Sequence, residues 1–171
     1  MRARRCVAAT SAPPQTCEMA APEVPINPRT GEPMTAESLN QGSEGWLPGL
    51  IGLTITDVDP AGRTVSARLP IRGELLAPNG YLHAASVIAL ADTICGYASL
   101  AFRAEGATGF TTIEVKSNFV GTAREGAIRS TARLLHGGRS TQVWEATVEN
   151  EADGAPIAFF RCTQMMLYPR G

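Results

Sequence analysis

The alternation of hydrophobic and polar residues becomes regular at about residue 46. Apolar residues at positions 51, 53 and 55 alternate with small or polar ones, and the alternation returns over residues 65–69. A period of two is typical of strands that bury one face. Residues 59–62, Asp-Pro-Ala-Gly, have the composition of a tight turn. Residues 50–69 therefore predict a β-hairpin.

A long apolar segment runs from His83 to Phe102, and its length and its alanine and leucine content favour a helix. The segment is apolar on nearly every side, which predicts a buried helix rather than a surface one. A membrane-spanning helix of about 20 apolar residues would have a similar length. Small residues dominate this segment and Asp92 interrupts it, so we predict a core helix and no membrane contact.

Four segments with a period of two follow this helix, at residues 113–119, 128–134, 143–148 and 157–164. Short turns separate them, which predicts antiparallel strands in a meander. Nothing else in the chain could cover the apolar helix, so the sheet must wrap around it. The predicted fold class is α+β, with one long central helix wrapped by a curved antiparallel sheet of five to six strands.

Residues 1–45 differ from the rest, because they are rich in proline and have few bulky apolar residues in any period. This composition predicts an extended or disordered N-terminal arm. Residues 46–171 then form a single domain, as expected for a chain of 171 residues.

Composition excludes several classes of protein. Apolar residues make up 44% of the chain and charged residues 18%, which excludes wholesale disorder. The net charge of −1 gives no basic footprint for nucleic acid. The four cysteines form no C-x-x-C pair, which argues against a zinc cluster or a disulfide scaffold and suits a reducing, cytoplasmic compartment. His83 and His136 have no acidic residue at ligand spacing, so we expect no metal.

Asp92 is the only charged residue in the predicted core helix. Burying a carboxylate without hydrogen bonds is unfavourable by roughly 2–7 kcal/mol or more, and Asp is a poor residue in the middle of a helix. Either a structural or a functional role must explain it. The structural interpretation is a core Asp that is hydrogen-bonded to Thr93 or to a nearby backbone N–H. The functional interpretation is a reactive carboxylate, and the residues alone leave both open.

His83 stands where the helix begins, and a lone histidine there is more often a cap or a packing residue than a catalytic one. The free N–H groups of the first turn, near Ala84, offer a site for a developing oxyanion. Asp92 lies nine positions after His83, roughly 13 Å along the helix axis, so one helix cannot present both to one small reacting centre. Two antiparallel copies could, which predicts a composite site in a two-fold symmetric dimer.

Residues 78–85, PNGYLHAA, and 90–93, LADT, resemble the hotdog-fold acyl-CoA thioesterases, and most closely the PaaI-like branch that includes phenylacetyl-CoA and 4-hydroxybenzoyl-CoA thioesterases. That branch typically has N-x-x-G-x-x-H-G-G and then L-A-D or L-A-E, with the acid nine residues after the histidine. The strand at 111–119 and Gly138-Arg139-Ser140 are similar to later family segments. The resemblance covers roughly residues 46–168.

The resemblance implies catalytic roles for four residues. Asp92 would be the nucleophile or the general base that activates water. The Ala84 N–H would polarise the thioester carbonyl, and His83 would orient the thioester or the helix end. Thr112, or its neighbour Thr111, would hold the water.

The resemblance also implies that the protein needs no cofactor, because coenzyme A is part of its substrate. The substrate would be an acyl-CoA, hydrolysed to free acid and CoA, and its acyl group would be aryl or medium-chain. The protein would be a homodimer, and such dimers commonly pair into homotetramers. The phosphates of CoA would contact Arg139, Ser140 and Arg124. The remaining substrate contacts would come from Asn79, Gly80 and Thr93.

The chain departs from the family pattern at three positions. Ala84-Ala85 replaces Gly-Gly. The backbone N–H donor is kept, but the two methyl groups narrow the path by which the thioester approaches it. The family's Asn falls at Ala77, whereas this chain has Asn79 two positions later. These departures leave open a non-catalytic acyl-CoA-binding protein. A second alternative is a hotdog enoyl-CoA hydratase or dehydratase, which keeps the fold and acts on acyl thioesters with a histidine and an acid.

Overall fold

The structure, a computed structural model, describes residues 23–170. One long helix and six strands dominate it, which confirms the predicted α+β class. The helices are α1 (Ala36–Ser43), α2 (Leu47–Ile51) and α3 (Ala84–Ala101), and a short 3-10 turn spans Gly73–Leu75. The strands are β1 (Thr54–Asp59), β2 (Thr64–Pro70), β3 (Gly109–Phe119), β4 (Ala127–Gly137), β5 (Thr141–Asn150) and β6 (Pro156–Leu167).

All six strands form one antiparallel sheet in the order β1-β2-β4-β5-β6-β3. The predicted hairpin is β1–β2, and β4, β5 and β6 form the predicted meander. The meander prediction is wrong for β3, which pairs with β6 and not with β4. The chain leaves β3 through residues 120–126 and crosses to lie beside β2, so β3 becomes an edge strand.

Helix α3 packs against the inner face of this sheet, where Leu90 and Ile94 on the helix and Trp144 on β5 are fully buried. By length and composition alone α3 could cross a membrane, but burial of its apolar side against the sheet is typical of a core helix. The opposite side is not covered over its N-terminal half. Ala84 and Ala85 are exposed there, and the next turns are only half-buried.

The predicted arm of residues 1–45 lies partly outside the described residues, up to residue 22. The prediction of an extended or disordered segment is wrong for residues 36–43, which form α1, whereas residues 23–35 lie outside the helices and strands. Thr35 caps α1 with a capping box, and Met34 and Leu39 are buried in the core. Two apolar side chains in the core and a satisfied helix N-terminus are enough to order this proline-rich segment.

The alternation at 51, 53 and 55 misplaces the start of the first strand, which begins at Thr54. Residues 47–51 form α2 instead. Pro48 stands in its first turn, where proline is favoured, and Gly52 ends it in the left-handed conformation with φ 78°. These local signals outweigh a three-residue alternation.

The two edges of the sheet differ. The outer edge of β1 is covered by α1, because the Asn40 side chain donates to the Ile55 carbonyl at 2.9 Å and accepts from the Ile55 N–H at 2.7 Å. The Asn40 side chain thus makes the two hydrogen bonds to Ile55 that a neighbouring strand would make. No strand among residues 23–170 pairs with the outer edge of β3. Apolar side chains on β3 are about half exposed: Ile113 55%, Val115 45% and Phe119 45%.

Candidate active site

His83 is the N-cap of α3. Its backbone is extended, with φ −68° and ψ 138°, and its Nδ1 accepts the N–H of Ala85 at 2.9 Å. The His83 N–H donates to the Leu75 carbonyl at 3.0 Å, which fixes the cap against the preceding turn. Because Nδ1 is an acceptor, a neutral imidazole carries its proton on Nε2. The capping interpretation of His83 is therefore confirmed, and it leaves an N–H donor on the outward side of the ring.

The Ala84 N–H is the free donor at the start of α3. Ala84 is the first helical residue, its N–H has no acceptor among residues 23–170, and the residue is exposed. The neighbouring Ala85 N–H is taken by the His83 cap. The positive end of the helix dipole adds to this donor, so the position favours a partial or full negative charge.

Asp92 is half-buried on α3, and its Oδ1 is buried without a hydrogen-bond partner among residues 23–170. The interpretation of Asp92 as a hydrogen-bonded core residue is therefore wrong for this oxygen. Desolvation by burial raises the pKa of Asp92 above its usual value of 3.8. Thr93, predicted to contact substrate, is half-buried beside it.

Strand register decides which of two neighbouring threonines faces α3. Thr112 pairs with Gln164, which is buried on the inner face, whereas Thr111 pairs with the exposed Met165. Directly paired residues share a face of the sheet, so Thr112 is the inward one. The same inner row of β3 includes Ser117, whose Oγ is buried without a partner. No motif in the sequence points to Ser117, because its burial follows only from the strand register.

The loop before α3 places Asn79 and Gly80 close to His83. The Asn79 side chain accepts the Tyr81 N–H at 3.2 Å, and Gly80 adopts φ 79°, a conformation that favours glycine. Both residues therefore build the turn that leads into the helix. Arg124 lies at the same end, with its guanidinium carbon 4.1 Å from the centre of the Tyr81 ring. This stacked pair is not evident from the sequence, because 43 positions separate its members.

Arg139 and Ser140 lie in the β4–β5 turn. Arg139 lines a cavity of about 690 Å³ together with Phe102 and Arg103, which follow the last turn of α3. The 18 residues of α3 span about 27 Å, so a single chain does not bring Arg139 and Ser140 to His83. Arg63 lines the same cavity and has φ 50°, an unusual conformation that the sequence analysis did not anticipate.

Other potential chemistry in the described part of the chain is limited. Among residues 23–170, no three side chains of His, Cys, Asp or Glu come together in a way that could hold a metal ion. Cys95, about one turn after Asp92, is a buried free thiol. Its hydrogen bond with Cys162 and its burial raise the pKa of Cys95 well above the usual value, which is typical of an unreactive thiol.

Ala84, Ile88 and Asp92 follow one another at intervals of four residues, so they lie along one stripe of α3. The free N–H and the carboxylate stand eight residues apart, or about 12 Å along the helix. A carbonyl group is far smaller than this separation. One chain alone does not bring this donor and this carboxylate to the same reacting atom.

Comparison with known proteins gives matches over most of the chain. A family model described as "Thioesterase superfamily" matches residues 79–157. The chain is 30% identical over 118 residues to the 1,4-dihydroxy-2-naphthoyl-CoA hydrolase of Escherichia coli, covering 69% of this chain and 85% of that protein.

Solved structures share the fold. A thioesterase from Haemophilus influenzae superposes with a TM-score of 0.74 at 24% identity, over 80% of this chain and 93% of that one. The PaaI protein of E. coli, from the phenylacetic acid degradation operon, gives a TM-score of 0.67 at 18% identity, over 76% and 90%. The fold inferred from residues 78–85 and 90–93 is therefore confirmed.

Proposed function

We propose that this chain, which belongs to the thioesterase superfamily, hydrolyses an acyl-CoA thioester to the free acid and CoA. The observation that carries the proposal is the pair of unsatisfied groups on one stripe of α3. The buried Asp92 Oδ1 has no hydrogen-bond partner among residues 23–170, and the exposed Ala84 N–H has no acceptor there. A nucleophile or base and an oxyanion donor are the two groups that acyl transfer requires.

Asp92 is the group that starts the reaction. Its carboxylate either adds to the thioester carbonyl carbon, giving an anhydride that water then hydrolyses, or takes a proton from the attacking water. In both routes the C–S bond breaks and CoA leaves as the thiol. A carboxylate is suited to this because the ordinary pKa of an aspartate leaves it ionised at neutral pH.

The start of α3 receives the charge that develops on the carbonyl oxygen. The Ala84 N–H donates to that oxygen, an interaction often worth about 10²–10³ in rate. The Nε2–H of His83 lies beside it and orients the thioester. Thr112, on the inner face of β3, holds the water in the general-base route.

The site is composite. Asp92 of one protomer serves a thioester whose carbonyl oxygen accepts the Ala84 N–H of the partner subunit. If α3 lies antiparallel to its copy across a two-fold axis, residues 84 and 92 meet when the axis passes close to Ile88, midway between them. Ile88 is only half-buried in the single chain, which supports a contact there.

The open edge of β3 supports the same dimer. A long edge strand with half-exposed apolar side chains favours pairing with another chain. The β1 edge cannot serve, because Asn40 occupies it. Pairing two β3 strands would join the sheets and bring the two α3 helices side by side. We expect such dimers to pair into a homotetramer.

CoA phosphates would contact Arg124 at one end of α3 and Arg139 and Ser140 at the other. In an antiparallel dimer the C-terminal end of one α3 lies near the N-terminal end of its partner, so the two groups belong to one composite site. Asn79, Gly80 and Thr93 would complete the substrate contacts. We also propose that the reaction needs no cofactor, and that the protein is cytoplasmic, because the free thiols Cys95 and Cys162 suit a reducing compartment.

The acyl group is proposed to be aryl or medium-chain. The relative from E. coli is named for an aryl-CoA substrate, which supports this class. The Ala84 and Ala85 methyl groups narrow the approach to the start of α3. We therefore expect the preferred acyl group to differ in bulk from the acyl groups of family members that have Gly-Gly at these positions.

Free-thiol release from acetyl-, octanoyl-, palmitoyl- and benzoyl-CoA tests the function. We expect release from at least one, falling about 10²–10⁴-fold in Asp92→Asn. Asp57→Asn is the matched control, since Asp57 is exposed on β1.

Two results would contradict hydrolysis. If no thioester releases thiol but all raise the melting temperature, the chain is an acyl-CoA-binding protein, as the Ala77 departure allows. If crotonyl-CoA loses its enoyl absorbance without thiol release, the reaction is hydration.

A further inference from the structure

Tyr81 and Arg124 form a stacked pair at the end of the molecule where α3 begins. The guanidinium carbon of Arg124 lies 4.1 Å from the centre of the Tyr81 ring. Both side chains are exposed, so the contact is not a consequence of core packing. A guanidinium on an exposed aromatic face is attracted to it, and the contact restricts the orientations of a long flexible side chain.

The backbone holds the two residues in place. The Tyr81 carbonyl accepts the Ala77 N–H at 2.7 Å, which closes the loop before α3. The Leu82 N–H donates to the Ala123 carbonyl at 2.9 Å, so the neighbours of Tyr81 and Arg124 are directly bonded. The ring therefore stands at a fixed distance from the arginine, and the stack determines where the guanidinium points.

Within residues 23–170, no carboxylate forms an ion pair with the guanidinium of Arg124. The ion pairs among residues 23–170 involve Arg68, Arg129 and Arg161, and each has a glutamate on the outer face of the sheet or its rim. Arg124 makes no ion pair there, although Glu125 follows it in the chain. Stacking uses the flat face of the guanidinium and leaves its edge N–H groups free to donate.

We propose that Tyr81 is a positioning residue that holds Arg124 where its guanidinium binds a phosphate of coenzyme A. This rests on the proposed function only in taking CoA as the ligand. A pre-oriented guanidinium loses less conformational entropy on binding than a free one, so the tyrosine ring contributes to affinity without touching the ligand. The effect is confined to ligands that carry phosphate.

The test measures binding by calorimetry in the Asp92→Asn background, so that no thioester is consumed. The probes are benzoyl-CoA and S-benzoyl-pantetheine, which have the same acyl group and differ in the phosphate-bearing nucleotide. Tyr81→Leu should weaken benzoyl-CoA binding about 2- to 5-fold, the range expected for an exposed cation–π contact. Tyr81→Phe, which keeps the ring, should restore the affinity. Binding of the pantetheine thioester should not change.

Arg124→Ala should weaken benzoyl-CoA binding about tenfold, as for loss of one charge-assisted hydrogen bond. Adding Tyr81→Leu to Arg124→Ala should then have no further effect, because the ring acts only through the guanidinium. Thermal melts of each variant check that the loop and α3 remain folded.

Three outcomes would overturn the inference. Equal benzoyl-CoA affinity in Tyr81→Leu and its parent would show that the stack has no role in binding. An equal loss for the pantetheine thioester would show that Tyr81 shapes the pocket instead. Unchanged benzoyl-CoA affinity in Arg124→Ala would show that Arg124 does not contact a phosphate of CoA. Since binding needs no turnover, these measurements test the role of Tyr81 independently of whether the chain hydrolyses the thioester.

Discussion

At the scale of single residues, burial of Asp92, the proposed reactive group, reduces the stability of the chain. Asp92 has a desolvated oxygen without a hydrogen bond, and burial raises its pKa. Between the usual value of 3.8 and the raised value, the native state binds more protons than the unfolded state. Stability therefore falls as pH rises through that window, and the penalty persists at neutral pH.

Asp92→Asn should accordingly raise the melting temperature at pH 7, because asparagine carries no charge to desolvate. Each kcal/mol recovered should add about 2–4 °C for a chain of this size. The difference from wild type should vanish at about pH 3, where both forms are neutral. Thermal unfolding followed by circular dichroism at the two pH values measures this, with Asp57→Asn as the control. An unchanged melting temperature at pH 7 would mean that burial of the Asp92 carboxylate does not destabilise the folded state.

Ala84→Pro removes the proposed oxyanion donor and little else. Proline is favoured at the first helical position, and the extended backbone of His83, with ψ 138°, suits a residue before proline. We expect kcat to fall about 10²–10³-fold with little change in melting temperature. Ala84→Gly, which keeps the N–H, should retain activity. Activity of Ala84→Pro close to wild type would exclude this donor.

At the scale of secondary-structure elements, one side of α3 belongs to the core and the other forms the interface of the proposed dimer. Its sheet-facing side is buried, while the stripe through Ala84, Ile88 and Asp92 is open or half-open. β3 has the same division, because one edge pairs with β6 and the other with nothing among residues 23–170. Both unpartnered surfaces belong to neighbouring elements, so one partner chain would cover both.

A cysteine at position 88 should join two protomers, because a residue next to a two-fold axis meets its own copy. In a background with Cys6→Ser and Cys17→Ser, Ile88→Cys treated with a short bis-maleimide should run as a covalent dimer in denaturing electrophoresis. Cys95 and Cys162 are fully buried and should not react. Ala61→Cys, in the exposed β1–β2 turn, should stay monomeric. Cross-linking of Ala61→Cys but not of Ile88→Cys would place the axis elsewhere.

At the scale of the whole molecule, the regular parts were predictable and the irregular parts were not. The long segment around Leu90 and the four alternating segments gave α3 and the later strands, because buried periodicity is strong over ten or more residues. The strand order was not readable, since pairing of β3 with β6 depends on a crossover. Residues 34–43 are held in place by tertiary contacts of Met34 and Leu39, which local periodicity does not show.

The site was predictable in part for a similar reason. Asp92 and the helix start stand out in one apolar segment, and their separation points to two chains. Which threonine faces inward follows only from the register, and the stacking of Arg124 on Tyr81 follows only from the fold. Sequence periodicity reports a side chain's face within an element, whereas contacts between distant elements need the structure.

The composite site is tested most directly by mixing two inactive variants. Asp92→Asn and Ala84→Pro should each lack thiol-release activity on the best acyl-CoA, since each removes one half of every site. After co-refolding at equal concentrations, half of the dimers are mixed and one of their two sites is intact, so about a quarter of the wild-type rate should return. A mixture as inactive as its components, with mixed dimers verified by mass spectrometry, would contradict the account.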